Sequence, residues 1–559
     1  QPSSYVQLKL KIMKHVSKVI VLTILNCACL NFTCFSQAAP GIQWQNTIGG
    51  NDEDELFSIS QTADGGYICG GWSMSNISGD KTENCLNSAD YWIIKLDSAG
   101  NIEWQNSIGG SSVDDLITIS QTTDGGYICG GNSWSDISGD KTENNMGMTA
   151  TYDYWIIKLD VFGNIQWQNT IGGIFDDELY SISQTADGGY ICGGGSKSGI
   201  SGDKTESSYG DYDYWVVKLD ASGSILWQKT IGGSSWDVLR SIVPTTDEGY
   251  ICGGQSYSNI GWDKTEDCIG LSDLWIVKLD SSGDIQWQNT IGGDNDDWLF
   301  YNTVSQTIDG GYICGASSKS NISGDKTENS LGGWDYWVIK LNQVGNIEWQ
   351  NTIGGGNNDL LWCISQSSDS GYFCGGSSTS NISGDKTENS LGSSDYWVVK
   401  LNVSNSIEWQ NTIGGNRSDA FSFMAQTIDN GYICGGSSSS SISGDKTEGN
   451  WDPTLLTHDY WILKLFPDTV TGIPDLESSN KILVYPNPFT TRAYISFINN
   501  NEKFHFTLCD ISGRTIETVS TNNNEIIITK EGKQPGIYLY ILINENTREK
   551  WMGKIIIGN

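Results

Sequence analysis

The chain has 559 residues, with 66 acidic against 32 basic side chains and a net charge of −34. That balance excludes a phosphate-backbone partner, so no nucleic acid is expected, and it fits a solvated extracellular or cation-binding surface. With 23 Trp and 24 Tyr to bury, the 67 Gly do not signal disorder.

Residues 1–38 read as an upstream extension plus a secretory signal peptide. Met13, Lys14, His15 and Lys18 form a basic n-region, residues 19–30 an apolar h-region, and Ser36-Gln37-Ala38 a small-residue cleavage site. Residues 1–12 are read as lying upstream of the start. The apolar run is shorter than the roughly 20 residues a span needs, so no transmembrane span is expected in the mature protein.

Residues 39–466 repeat one pattern seven times, with a period of roughly 60 residues. Each unit has a W-Q tryptophan (Trp44 first), a G-Y-[IF]-C cysteine (Cys69 first) and a W-[IV]-[IVL]-K-L tryptophan (Trp92 first). The seven equivalent Cys read as small buried apolar residues, since stacked sheets lie about 10 Å apart and a disulfide spans less than roughly 7 Å. Cys85, Cys268, Cys363 and Cys509 are scattered singles that leave room for one pair. Four short strands are predicted per unit. In Tyr154–Leu159 the period-two pattern is mostly apolar on both faces, so both faces of each sheet should be covered. The T-x-D-G-G and L-D-x-x-G-N segments read as hairpins. The Gly pair after each Cys suggests close backbone approach near the axis of a ring.

Four-stranded sheets stacked face to face make a closed propeller or an open solenoid. The repeats begin with a W-Q strand, Ile42–Ile48, and end with a Y-W strand, Tyr460–Leu465, that has no W-Q strand after it. The expected fold is therefore all-β: a seven-bladed β-propeller closed by the N-terminal strand pairing beside the last Y-W strand. The L-D-x-x-G-x-x-x-W hairpin resembles the tryptophan-docking hairpin of quinoprotein-type propellers, and the whole unit looks like repeats common in secreted proteins of the Bacteroidota.

Residues 467–479 read as a linker with two Pro and one Gly. Residues 480–559 carry V-Y-P-N-P-F at 484–489, L-C-D-I-S-G-R at 508–514, P-G-I-Y at 535–538 and K-I-I-I at 554–557. This segment resembles the type A C-terminal sorting domain of the type IX secretion system. The resemblance implies a small β-sandwich, the secretion machinery as partner, and delivery to the outer-membrane surface or the medium. Cys509 stands where a branched apolar residue is common in that family, and the tail runs two residues past the last apolar strand.

The strand order puts the G-G-x-x-x-D connections and the long I-S-G-D-K-T-E loops on one face, opposite the hairpins. An Asp recurs four residues after the second Gly of every I-G-G: Asp54, Asp114, Asp177, Asp237, Asp297, Asp359 and Asp419. The long loops carry a second set, Asp80, Asp140, Asp203, Asp263, Asp325, Asp385 and Asp445, with Glu83 and Glu143 beside them. A third set precedes the Y-W or L-W pair: Asp90, Asp153, Asp213, Asp273, Asp335, Asp395 and Asp459. Several oxygens on one loop suit calcium, the one cofactor the sequence suggests. The competing reading has these Asp accept backbone N–H groups in Asx-type turns while Lys81 and Glu83 pair at the surface.

Identical loops favour a scaffold, whereas a ligand site needs asymmetry. The loop aromatics Trp134, Trp262, Trp298, Trp334, Trp362 and Trp451 supply it and are the candidate contacts for a glycan or protein ligand. Catalysis has little support: His458 is the single His of the repeats, which leaves almost nothing for His-based nucleophilic or metal chemistry, and no Walker or G-x-S-x-G sequence is present. The leading reading is a secreted binding scaffold. The alternatives are a carbohydrate-active hydrolase using paired carboxylates in the funnel and a structural spacer.

Overall fold

The computed structural model describes residues 38–147, 151–452, 454, 457–468, 482–485, 489, 491–497, 503–510, 514–523, 525–544 and 550–557. The signal-peptide reading and almost all of the linker reading lie outside these residues. Contacts divide the chain into two compact units, Gln1–Asp468 and Thr469–Asn559. Every helix or strand assigned among the described residues is a strand.

The repeats form seven antiparallel sheets. Sheet 1 pairs Asp54–Gln61, Tyr67–Ser73, Asp90–Leu96 and Ile102–Ile108 in that order. Sheets 2 to 6 repeat the order from Asp114, Asp177, Asp237, Asp297 and Asp359. Sheet 7 takes Asp419–Gln426, Tyr432–Ser438 and Asp459–Leu465, and its fourth strand is Ile42–Ile48 from the other end of the repeats. That strand lies antiparallel beside the Y-W strand, with Thr47 opposite Trp461. It also makes the side-chain bonds of an ordinary fourth strand: Gln45 accepts from Trp461 Nε1 at 3.1 Å, as Gln105 does from Trp92.

The third strand of each sheet is buried along its whole length. One aromatic contact then joins most sheets to the next. Tyr91 donates its hydroxyl to the Trp155 carbonyl at 3.0 Å, Tyr154 to Trp215, Tyr214 to Trp275, Tyr336 to Trp397 and Tyr396 to Trp461. Tyr460 of sheet 7 donates to the Trp92 carbonyl of sheet 1 at 3.2 Å, and Ile433, Tyr460 and Ile462 share a core with Leu56 and Ile59. Sheet 7 therefore meets sheet 1 through the same contact that joins five of the six other neighbouring pairs.

The same contact explains a Gly of the pair after each Cys. A Cβ on Gly71 would lie 2.8 Å from Tyr460 Oη and 1.9 Å from the Glu55 carbonyl. The close approach expected near an axis is real, but it comes from the facing sheet and the neighbouring strand. Between sheets 4 and 5 the Tyr is replaced by Leu274, and there the Gly is replaced by Ala316, both fully buried in one cluster. The W-Q strand docks on the next hairpin: Trp44 packs against Gly100, Trp104 against Gly163, and Asn106 donates to the Gly163 carbonyl at 2.6 Å.

The third-strand Lys is buried, and its ammonium pairs with the Asp of the T-x-D-G-G hairpin in all seven sheets, from Lys95–Asp64 at 3.0 Å to Lys464–Asp429 at 3.1 Å. The expectation of four unbroken strands per unit needs one correction. The first strand of sheet 5 is split into Asp297–Trp298 and Val304–Gln306, because this repeat is two residues longer than the others between its I-G-G and its Cys.

In the second unit, Ile482–Tyr485, Arg492–Phe497 and Glu525–Thr529 form one sheet, and Thr515–Thr521, Phe504–Asp510, Gly536–Asn544 and Lys550–Ile557 another. They share one core, which includes Phe489, Ile495, Phe506, Ile528, Leu542 and Ile555. All cysteines among the described residues are free, so the disulfide left open at Cys85, Cys268, Cys363 and Cys509 is not formed.

Candidate functional site

The first strand of each sheet carries a β-bulge at the same place, and a bulge re-aims the side chain of its extra residue. In sheet 1 Leu56 and Ser58 face Gly71 and Gly70, which leaves Phe57 without a partner. The corresponding extra residues are Ile117, Tyr180, Arg240, Trp362 and Ser422. In sheet 5 the two inserted residues enlarge the bulge around Phe300, Tyr301 and Asn302, the last with φ 54°.

Four of these extra residues, Phe57, Tyr180, Arg240 and Trp362, meet around Tyr301. Tyr301 lies 6.4 Å from Phe57, 5.4 Å from Tyr180 and 6.2 Å from Trp362 between ring centroids. The Arg240 guanidinium sits 4.1 Å over Tyr180 and 5.7 Å over Tyr301, a cation–π arrangement. Strands of sheets 1, 3, 4, 5 and 6 are thus tied through one Tyr that the repeat pattern does not contain. Toward the hairpin face, the far ends of the first strands of sheets 4 to 7 enclose a cavity of about 430 Å³ lined by Val243, Asn302, Ser365, Phe423 and Met424 among others.

On the long-loop side, the residues beside the invariant strand-start Asp break the sevenfold pattern in two directions. In sheets 1 to 3 the next residue is acidic: Glu55, Asp115 and Glu178. Tyr152 donates to Asp115 at 3.0 Å, Tyr212 donates to Glu178 at 2.5 Å, and Tyr180 donates to the other oxygen of Glu178. Burial pushes the Asp115 carboxyl up to about 6, and burial together with Glu53 raises that of Glu55. His458, just before the third strand of sheet 7, places Nδ1 2.5 Å from Glu53 Oε1, and this bond raises the imidazole above its ordinary value.

In sheets 5 and 6 the same region is aromatic. Trp334 and Trp298 lie 4.5 Å apart, Trp298 and Phe300 6.4 Å, and Phe300 and Trp362 4.3 Å. Three of the six predicted Trp therefore join one continuous aromatic run. Lys319 covers Trp334 at 4.3 Å, and Trp134 packs on Tyr152 at 4.6 Å beside the acidic residues. Trp262 and Trp451 stand apart on loop tips. Trp262 is 69 % exposed and stacked on Tyr209, and Trp451 is 48 % exposed with Nε1 2.7 Å from Asp80 Oδ2.

The predicted calcium ligands are not gathered. In the first loop Asp80 takes the Gly49 N–H, Glu83 the Ser107 N–H and Asp90 the Leu86 N–H, each with its own backbone donor. Asp140, Asp203, Asp263, Asp325, Asp385 and Asp445 likewise each take the N–H of the first Gly of the preceding I-G-G. Asp153, Asp213, Asp273, Asp335, Asp395 and Asp459 cap their own loops, and Glu143 takes Thr170 N–H. The expected surface pairing of Lys81 and Glu83 does not occur either. Lys81 is 2 % exposed, with its ammonium 4.8 Å over Trp92, 2.7 Å from Ser107 Oγ and near Asp54 and Asp90. The repeated cation of this loop is a lysine. Among the described residues, the one place where three metal-ligating side chains converge is Glu53, Glu55 and His458.

Sequence reasoning missed Tyr301, Arg240 and the three acidic residues. The usable signals were the two-residue excess of the fifth repeat and the variable position after an invariant Asp.

Residues 483–558 match the family described as a secretion system C-terminal sorting domain. Residues 483–558 thus carry a sorting domain, which supports type IX export to the cell surface or medium. The chain is 22 % identical over 351 residues to the regulatory protein FlaEY of Caulobacter vibrioides, covering 58 % of this chain and 36 % of that protein, so it spans about a third of the length of that curated relative. Among solved structures it is similar to PorZ, an essential bacterial surface component of the type IX secretion system of Porphyromonas gingivalis, at 10 % identity over 93 % of this chain and 75 % of that one, with a TM-score of 0.29. No helix among the described residues is long and apolar enough to cross a membrane.

Proposed function

We propose that the chain is a secreted or surface-held seven-bladed β-propeller of a Bacteroidota cell, closed by Ile42–Ile48, that binds a glycan at its long-loop mouth. Closure is supported by the Tyr460–Trp92 bond, which repeats between sheets 7 and 1 the contact made inside the chain. The binding reading rests on one observation: at register positions where the scaffold could repeat, the mouth is acidic and Tyr-rich in sheets 1 to 3 and a continuous Trp–Phe run in sheets 5 and 6. Aromatic faces stack on sugar rings, and carboxylates held by Tyr hydroxyls accept sugar hydroxyls. The type IX machinery would engage residues 480–559.

A glycan array probed with the repeats tests this. Binding should fall at least tenfold in Trp298→Ala and be unchanged in Val161→Ala, on a hairpin of the opposite face. Binding of surface proteins with no glycan on the array retained would transfer the site to a protein ligand.

A second reading, glycoside hydrolysis, is favoured by Asp115, whose carboxyl is raised toward neutrality while Glu55 and Glu178 lie on the neighbouring sheets. It requires new reducing ends from a polysaccharide panel, lost in both Asp115→Asn and Glu178→Gln. A panel with no release removes it.

A further inference from the structure

We propose that the seam between sheets 7 and 1 is a binding site for one divalent transition-metal ion of the zinc class, held by the His458 imidazole and the carboxylates of Glu53 and Glu55. The site stands independently of the glycan reading. One donor atom from each of the three side chains lies within 4.8 Å of the other two. Imidazole nitrogen and carboxylate oxygen are donors that zinc takes at about 2.0–2.2 Å, and three protein ligands leave a fourth position for water. His458 and Glu53 keep 26 % and 23 % of their side chains exposed, which leaves a path for the ion.

The scaffold argues for this independently of the ligand types. At several junctions the residue before the third strand is latched to the side chain before the next sheet's first strand. Tyr152 N–H donates to Asp176 at 3.2 Å, Trp334 N–H to Asn358 at 3.2 Å and Ser272 Oγ to Asp296 at 3.1 Å. His458 N–H makes the same latch to Glu53 at 3.3 Å. The latch fixes where the two side chains stand before any ion arrives, and such preorganisation favours binding. Of these latched residues only His458 carries a ring nitrogen with a lone pair that can ligate a metal, since the indole nitrogen of Trp334 is a donor only, and there Glu55 adds a second carboxylate. A protonated imidazole offsets one of the two negative charges, whereas a divalent ion offsets both. The ligands come from positions 405 residues apart, so an ion here ties together the two ends of the repeats.

The test uses the untagged full chain, stripped with EDTA and dialysed. Calorimetric titration with Zn²⁺ should show one saturable site, weakened at least tenfold in His458→Asn and in Glu55→Gln and retained in His505→Ala. Co²⁺ in the same site should give visible d–d absorption that Zn²⁺ bleaches. Zn²⁺ should raise the melting midpoint of the parent chain, since a ligand that binds only the folded state stabilises it, and leave that of His458→Asn in place. The proposal is overturned if folded His458→Asn binds Zn²⁺ as the parent does, if no saturable site appears, or if Ca²⁺ competes as well as Co²⁺, which would leave the imidazole no part.

Discussion

At the scale of single residues, the sheet contacts are decided by one methyl group. Six junctions pair a Tyr with a Gly, and the junction of sheets 4 and 5 pairs Leu274 with Ala316. A Cβ facing the Tyr hydroxyl would lie 2.4–2.8 Å from it, so the two positions have to change together. Leu274→Tyr alone should destabilise the repeats by about 1–3 kcal/mol through overpacking. Leu274→Tyr with Ala316→Gly should recover most of that loss, with the missing bond to the Trp337 carbonyl contributing about 0.5–1.5 kcal/mol of the recovery. Guanidinium midpoints of the two variants decide the matter: a double variant no more stable than Leu274→Tyr would mean the Tyr–Gly pairing has no steric basis. A second prediction concerns Lys326, 1 % exposed and 5.0 Å over Trp337, with Asp297 and Asp335 as its charge partners. Lys326→Met leaves those buried carboxylates without their cation and should cost about 3–5 kcal/mol. A midpoint within error of the parent would show that the ammonium contributes no net stability.

At the scale of elements, the long loop is built from its own side chains. Its Asp and Glu are each occupied by a backbone N–H, Gln105 Nε2 donates to the Asp80 carbonyl at 2.7 Å, and Lys81 fills the position a cation would take. Added Ca²⁺ at millimolar concentration, compared with EDTA, should therefore leave the melting midpoint unchanged. A rise of several degrees shared by the His458→Asn variant would put ions in the loops. What could be read in advance follows the same logic. Tyr91–Leu96 and its six copies were legible because period-two burial and β-branched residues write a strand directly into the sequence, and the offset of Ile42–Ile48 against Tyr460–Leu465 predicts the pairing of these two strands. The bulge at Phe57 was not legible, since one extra residue alters no periodicity. Tyr301 acquires its place only because the other bulges point to it. Lys81 was misread because hydropathy assigns Lys to the surface, and its burial depends on a Trp and two Asp brought in from other strands. His458 is a lone His in the sequence of the repeats, and nothing local to it predicts Glu53 and Glu55, which reach it only through the pairing of Ile42–Ile48 with Asp459–Leu465.

At the scale of the whole molecule, the repetition multiplies a small electrostatic choice seven times. The third-strand Asp is fully buried in every sheet, and its Oδ1 meets no hydrogen-bond donor. A Cβ on Gly49 would fall 2.2 Å from Asp459 Oδ1, so the first Gly of I-G-G makes room for this oxygen while giving it nothing to bond. Burial raises these carboxyls to about 7 in Asp90, Asp213 and Asp459, about 8 in Asp153 and about 6 in Asp335 and Asp395, from 3.8. A carboxyl raised in the folded state holds its proton longer than in the unfolded chain, so its contribution to stability is complete below about 4 and is lost as pH climbs through about 6–8. His458, raised by its bond to Glu53, acts with the same sign near neutrality. The hairpin carboxyls oppose this only in acid. The Thr185 hydroxyl, with Lys218 and the Gly189 N–H, holds Asp187 down to about 2, so its contribution is intact above about 4 and fades as pH falls through 2. Lys141 and its counterparts, lowered to about 8 by burial, are protonated in both states in acid and add no slope there. The mutual repulsion behind a net charge of −34 also grows as carboxyls ionise. In EDTA the melting midpoint should therefore peak between about pH 4 and 6, decline steadily toward pH 8 and collapse below about pH 3. A midpoint that climbs from pH 5 to pH 8 would require these seven carboxyls to be ionised in the folded chain throughout, with the Lys81-type ammonium neutralising more of the buried charge than its single unit can.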